Sequence, residues 1–208
     1  MNIIILADKY QKRMKSRGCV GLIKYNNKNI LFHQYKILNN IFPYANIVYV
    51  YGFDNKRLVS YINKNSLDYQ NIKFIYNNLY EKYNNAYSLS LAKDYLNDDC
   101  LLLFGEHVIK NITFENFKIT PQSQVFIDKK IKTRLGCIIN NNLINNICYD
   151  LDNYLSEIYF ISKNHVSAFQ QFTTNPNHYN SFIFEIINKM IDSNYQFTPF
   201  IINQKVKV

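Results

Sequence analysis

At 208 residues the chain is long enough for one domain and too short for a modular enzyme, taking about 150 residues per domain. Hydrophobic residues make up 48%, aromatics 16% and charged residues 19%, enough apolar side chain to build a core and to exclude a disordered chain. Twenty-four Lys and Arg against 15 Asp and Glu leave a net charge of +9, which favours anionic partners and, on charge alone, admits nucleic acid.

In chain order, residues 2–7 form an almost unbroken apolar run, the pattern of a strand buried on both faces of a parallel sheet. A basic loop follows. Leu31, Tyr35, Leu38 and Ile41 then recur at helical spacing, and Pro43 closes that segment. Residues 47–51 predict a second strand, with Gly52 as its turn. Asp54 stands at an N-cap position before a helix whose apolar face is Leu58, Val59 and Ile62. Residues 72–76 predict a third strand, 81–96 a helix through Tyr87, Leu91 and Tyr95, and 100–104 a fourth strand ending at Gly105. This alternation argues for parallel pairing through right-handed crossovers, with helices on both faces of an open sheet and ligands outside the carboxyl ends of the strands. The second half is richer in β-pattern: 124–127, 135–139, 143–149, 157–161 and 197–202 read as strands, with 163–172 and 179–191 as helices. One domain is expected over residues 1–208, with a nucleotide-binding half at 1–110 and a β-rich and helical second half at 111–208.

The runs "NIIILADKYQKRM" and "LIKYNNKNILFHQYKIL" resemble the opening of the nucleoside-triphosphate:sugar-phosphate nucleotidyltransferases. In that family a strand leads into a glycine-rich signature ending in Arg-Met, then a Pro-Lys and a turn that opens a helix. "IYNNLYEKYNNAYSLSLAKDYLNDDCLLLFGEHVI" is similar to the segment that, in the choline-phosphate cytidylyltransferase branch, reads Asn-Asn-x-x-Ser-Leu and ends in Gly-Asp. The resemblance implies a three-layer, Rossmann-like (GT-A-like) α/β fold with a mostly parallel sheet and a smaller β-rich second lobe. It also implies nucleotide-binding roles for Ala7, Arg13, Asn84 and Asn85 and a metal-ligating role for Glu106, while Lys24 and Lys15 are near enough in sequence to substitute for the family's Lys in binding the nucleotide. Asn84 and Asn85 are equally readable as a helix N-cap, and Arg13 as part of a solvated basic loop.

Nucleotidyl transfer needs a backbone cradle for the triphosphate, a cation at the α-phosphate and carboxylates for Mg²⁺, since it is catalysed chiefly by positioning and charge stabilisation. Residues 7–13 contain no glycine, and Asp8 brings a negative charge to the cradle. Val20 stands where the family has its Lys, and Glu106 where it has Asp. Asn203, Gln204 and Lys205 follow the final strand, where the family places its second carboxylate. Four departures within an intact strand and helix pattern imply a fold kept without its reaction: a degenerate binding or structural module, attached through many exposed Tyr, Phe and Asn to a protein partner or a larger, virus-encoded assembly. The alternative is an active cytidylyl- or uridylyltransferase acting on a sugar phosphate or choline phosphate, which requires Mg²⁺; a nucleotide is then the ligand, weakly held if the site is degenerate.

Other features are bland. Cys19, Cys100, Cys137 and Cys148 form no CxxC pair and read as reduced thiols, and His33, His107, His165 and His178 lack metal-ligand spacing. No apolar run approaches the roughly 18 residues of a membrane helix. The first strand runs straight into Asp8, Lys9, Lys12 and Arg13, the wrong order for a secretory signal, so a cytoplasmic place, or one inside a virus particle, is expected.

Overall fold

The computed structural model describes residues 1–9, 16–128 and 133–202, together with the backbone of 206–207. Strand β1 (Asn2–Ala7) is buried along its whole length because strands lie on both sides of it and helices on both faces. Its alternation divides the core: Ile3, Ile5 and Ala7 join one apolar cluster, Ile4 and Leu6 the other. A short hairpin, β2 (Lys24–Tyr25) and β3 (Lys28–Asn29), turns on Asn26 and Asn27, both at positive φ, which Asn tolerates better than most residues. Helix α1 (Ile30–Ile41) begins at Asn29, whose side chain accepts a hydrogen bond from the Phe32 amide at 2.8 Å.

Strand β4 (Asn46–Tyr51), helix α2 (Asn55–Lys64), strand β5 (Ile72–Tyr76), helix α3 (Asn85–Leu91) and strand β6 (Cys100–Phe104) complete the alternating half. Helix α3 is shorter than the predicted 81–96. Residues 78–82 are turns, and Lys93–Tyr95 is a separate 3₁₀ turn after the helix ends at Leu91. Asp54 is the residue preceding α2, as expected, but at φ 55° its carboxylate accepts from the Cys19 amide at 3.3 Å and not from its own helix.

Strands β7 (His107–Val108), β8 (Ser123–Asp128), β9 (Leu135–Asn140), β10 (Leu143–Tyr149) and β11 (Leu155–Ile161) follow, then helices α4 (Lys163–Thr174) and α5 (Ile183–Asp192), and strands β12 (Phe197–Ile202) and β13 (Val206–Lys207). The central sheet has seven strands in the order β12-β8-β11-β6-β1-β4-β5; only β11 runs antiparallel to its neighbours. The β-rich half therefore extends the same sheet and adds a β9–β10 hairpin beside it. Residues 179–182, read as the start of a helix, precede α5, which opens at Ile183.

Helices α1 and α2 cover one face, α3, α4 and α5 the other, giving three layers. The aromatic residues go mostly inward. Phe117 meets Phe126, Phe160 and Phe200 at centroid distances of 5.3–5.6 Å. Among the described residues the exposed aromatics are Tyr44, Tyr76, Tyr149 and Phe182, so the expected display of many exposed Tyr and Phe gives way to ring-on-ring packing in the core. Cys19, Cys100 and Cys137 are buried, and burial pushes the Cys19 thiol up to about 11, which keeps it protonated. No helix among the described residues is long and apolar enough to cross a membrane.

Candidate functional site

Successive strands are added on one side of β1 through β4 and β5, and then on the other through β6. The strand order reverses there, which makes the carboxyl ends of β1 and β6 the place where an open α/β sheet presents its crevice. Two glycines form the rim. A Cβ on Gly105 would lie 2.3 Å from the Ala7 Cβ, and one on Gly52 would lie 2.7 Å from the Tyr80 Cβ and 2.8 Å from the Asp8 carbonyl oxygen. Only glycine permits these approaches.

What stands in the crevice is the chain itself. Asp8, 1% exposed, turns its carboxylate inward, where Oδ2 accepts from Ser88 Oγ at 2.9 Å and from Asn77 Nδ2 at 3.0 Å. Its Oδ1 is buried without a hydrogen-bond partner among the described residues. Burial raises the Asp8 pKa above the usual carboxylate range, against the opposing pull of Ser88, Lys9 and Asn77. Lys9 lays its ammonium between the carbonyl oxygens of Tyr80 and Tyr83. Burial lowers its pKa, countered by Asp8 and Glu81. Val20, at the position where the resemblance calls for Lys, is nearly buried in the Ala7 cluster, its Cγ1 3.0 Å from where a Gly105 Cβ would stand.

The start of α3 is occupied in the same way. The Asn84 amide donates to the Tyr179 carbonyl at 2.9 Å, the Ala86 amide to Ser181 at 3.1 Å, and Asn84 Nδ2 to Asn180 at 2.8 Å. Asn84 therefore occupies the N-cap position without capping through its side chain. Tyr83, Tyr87 and Tyr179 pack around this junction with centroids 4.8–5.4 Å apart.

Beside the filled crevice lies an open cleft of about 390 Å³ between the ends of β6, β11 and the β9–β10 hairpin and the starts of α3 and α5. Phe104, Tyr149, Phe182 and Phe184 form its apolar wall, and Arg134, Glu157 and Asn85 supply its polar groups. Phe182 stacks on Phe184 at 5.9 Å, and Tyr149 meets Phe184 edge-on at 5.6 Å. Glu157 is unusual: it lies within β11 at φ 58°, where the register against β8 shifts. A non-glycine residue held left-handed inside a strand is a strained conformation that structures retain chiefly at functional positions. Its Oε2 is 3.8 Å from Nε2 of the fully buried His107. Gln34 fixes this end of β6 by donating to the carbonyls of Phe104 at 2.8 Å and His107 at 2.9 Å.

Of the expected site residues, Ala7 and the pair Asn84 and Asn85 come together, because Asp8 and Ser88 bond the end of β1 to α3. Lys24 is exposed on the β2–β3 hairpin and lines a different cleft, which shares no residue with that of Asn85. Glu106 is half-buried just beyond β6. Arg13 lies outside the described residues. Sequence reasoning missed Ser88 and Asn77 as partners of Asp8, and Glu157 as a cleft residue. The one available signal for the latter was a charged side chain interrupting the apolar run 155–161. No group of three or more His, Cys, Asp or Glu gathers among the described residues, so a Mg²⁺ here would rest on one or two carboxylates, Glu106 among the candidates, and on the phosphates of a bound nucleotide.

In sequence, the chain matches no family model and no curated protein. In structure it is similar to the CTP:phosphocholine cytidylyltransferase from Streptococcus pneumoniae, with a TM-score of 0.79 and 16% identity over 100% of this chain and 92% of that one. It is also similar to the inositol-1-phosphate CTP transferase from T. maritima (0.75, 15%, 100% and 88%). A third match is a nucleoside-diphosphate-sugar pyrophosphorylase from Vibrio cholerae RC9 (0.70, 9%, 98% and 93%). At these identities the likeness is one of fold. The chain has the mostly parallel, Rossmann-like fold of the nucleotidyltransferases.

Proposed function

We propose that this chain is a nucleotidyltransferase-like binding module that has lost nucleotidyl transfer and keeps the neighbouring cleft for a small ligand. The observation that carries the reading is the filling of the crevice from within: Asp8 held by Ser88 and Asn77, Lys9 by the carbonyls of Tyr80 and Tyr83. A triphosphate entering there meets a carboxyl group in place of a glycine cradle, and a valine in place of a lysine. The open cleft supports the choice of ligand class. Aromatic faces attract a quaternary ammonium, Glu157 adds a negative charge and Arg134 a phosphate partner, a set that suits a choline-phosphate-like ester.

Thermal unfolding with added ligand tests this. A ligand at 100 times its Kd adds about 2.7 kcal/mol, worth roughly 5–10 °C of Tm for a domain of this size. Millimolar CTP, UTP, ATP or GTP with Mg²⁺ is expected to leave Tm unchanged, and phosphocholine to raise it. A Mg²⁺-dependent rise with one triphosphate reverses the reading. One observation favours that second reading, an active transferase: Glu106, half-buried, lies just beyond the carboxyl end of β6. In that case Glu106→Ala abolishes the triphosphate response without unfolding the protein.

A further inference from the structure

The net charge is not spread along the chain. Residues 1–66 hold eleven of the 24 Lys and Arg and only two of the 15 Asp and Glu, a net of +9, while the rest balances thirteen against thirteen. The fold gathers part of this excess around one concavity of about 570 Å³ between the β2–β3 hairpin, the start of α1 and helix α2. Lys24, Lys28, Arg57 and Lys64 line it, all exposed, and Asp68 is the single acid in its wall. Arg57 pairs with Asp54 at 3.8 Å, a surface contact of the weak kind that a phosphate can compete with. Lys36, Lys56 and Arg17 are exposed in the elements around it.

Two rings share this cleft. Phe32 lies beneath the ammonium groups of Lys28 and Lys36, 5.2 and 5.7 Å from its centroid, and Tyr61 stands on α2 opposite. Four cations that track a backbone and rings that stack on bases are the two components of single-strand recognition. A concave wall with aromatic faces suits a flexible strand better than a flat lipid surface or a stiff duplex.

We infer that this cleft binds single-stranded nucleic acid through phosphate contacts by Lys24, Lys28, Arg57 and Lys64 and base stacking on Phe32 and Tyr61. The site is separate from the cleft beside Glu157 and stands independently of the function proposed for it. Fluorescence anisotropy of a labelled fifteen-nucleotide oligothymidylate, titrated with the whole protein, tests the inference. With four phosphate contacts the log–log salt slope is about −2.8, so that raising KCl from 50 to 200 mM weakens binding about 50-fold. In Lys28→Gln/Lys64→Gln the slope is expected to fall to about −1.4, a loss of about 7-fold over the same range. Lys163→Gln/Lys189→Gln on the far side is expected to match the parent, and circular dichroism melting checks that each variant is folded. Absence of saturable binding at 50 mM KCl overturns the inference, as does an unchanged slope in the cleft variant. Equal affinity for a duplex, or equal displacement by polyglutamate, also overturns it, since the cleft is then a general anion surface.

Discussion

The folded chain makes the Asp8 carboxyl harder to ionise than a free one. Burial lifts its pKa above the ordinary 3.8, so over the window above that value the folded state releases its proton less readily than the unfolded chain. Stability from this group therefore falls as pH rises from about 4 through the folded-state pKa, and is flat beyond it. Asp8→Asn removes the titration while leaving an oxygen to accept from Ser88. The variant is expected to melt above the parent at neutral pH, with the difference shrinking toward pH 4. Melting curves of both proteins at closely spaced pH values check this, and a difference independent of pH would show that Asp8 does not titrate in that range.

At the scale of elements, β11 carries its strain at one residue. A left-handed conformation costs a non-glycine residue about 1–2 kcal/mol, and Glu157 bears that cost inside a strand next to the cleft. Glu157→Gly is expected to raise stability by about 1 kcal/mol in urea unfolding while abolishing phosphocholine binding. A variant that binds as well as the parent removes Glu157 from the ligand site. The elements themselves were legible to different degrees. Strands buried on both faces, such as 2–7 and 100–104, show as continuous apolar runs because helices and strands shield every position. The sequence pattern overstates α3 because Tyr87, Leu91 and Tyr95 keep a four-residue spacing across a helix and a 3₁₀ turn. Of the residues expected at the site, Ala7, Asn84 and Asn85 lie near one another and Lys24 lines a separate cleft. That Asp8 turns inward depends on Ser88, 80 residues away, and no local pattern reports such a pairing.

The whole molecule is electrostatically lopsided. Seven described Lys and Arg of the first 66 residues are exposed on the loop at Arg17, the hairpin, α1 and α2. Like charges within a Debye length, about 10 Å at 0.1 M salt, repel in the folded state and separate on unfolding. Raising KCl from about 20 to 500 mM is expected to lift Tm by a few degrees. Lys28→Gln/Lys64→Gln is expected to show a smaller rise, measured by calorimetry. A Tm indifferent to salt in the parent would mean that the charges are already too far apart to interact.

The strand order also governs how the protein emerges from the ribosome. β6, β1, β4 and β5 lie side by side, and all four have been synthesised by residue 104, so half of the sheet can close early. β8 has only β11 and β12 as neighbours, and both are translated after it. A nascent chain ending shortly after Asp128 thus carries Val125, Phe126 and Ile127 with neither edge paired. That interval of translation, up to completion of Ile202, is when a holdase chaperone has a hydrophobic strand to grip.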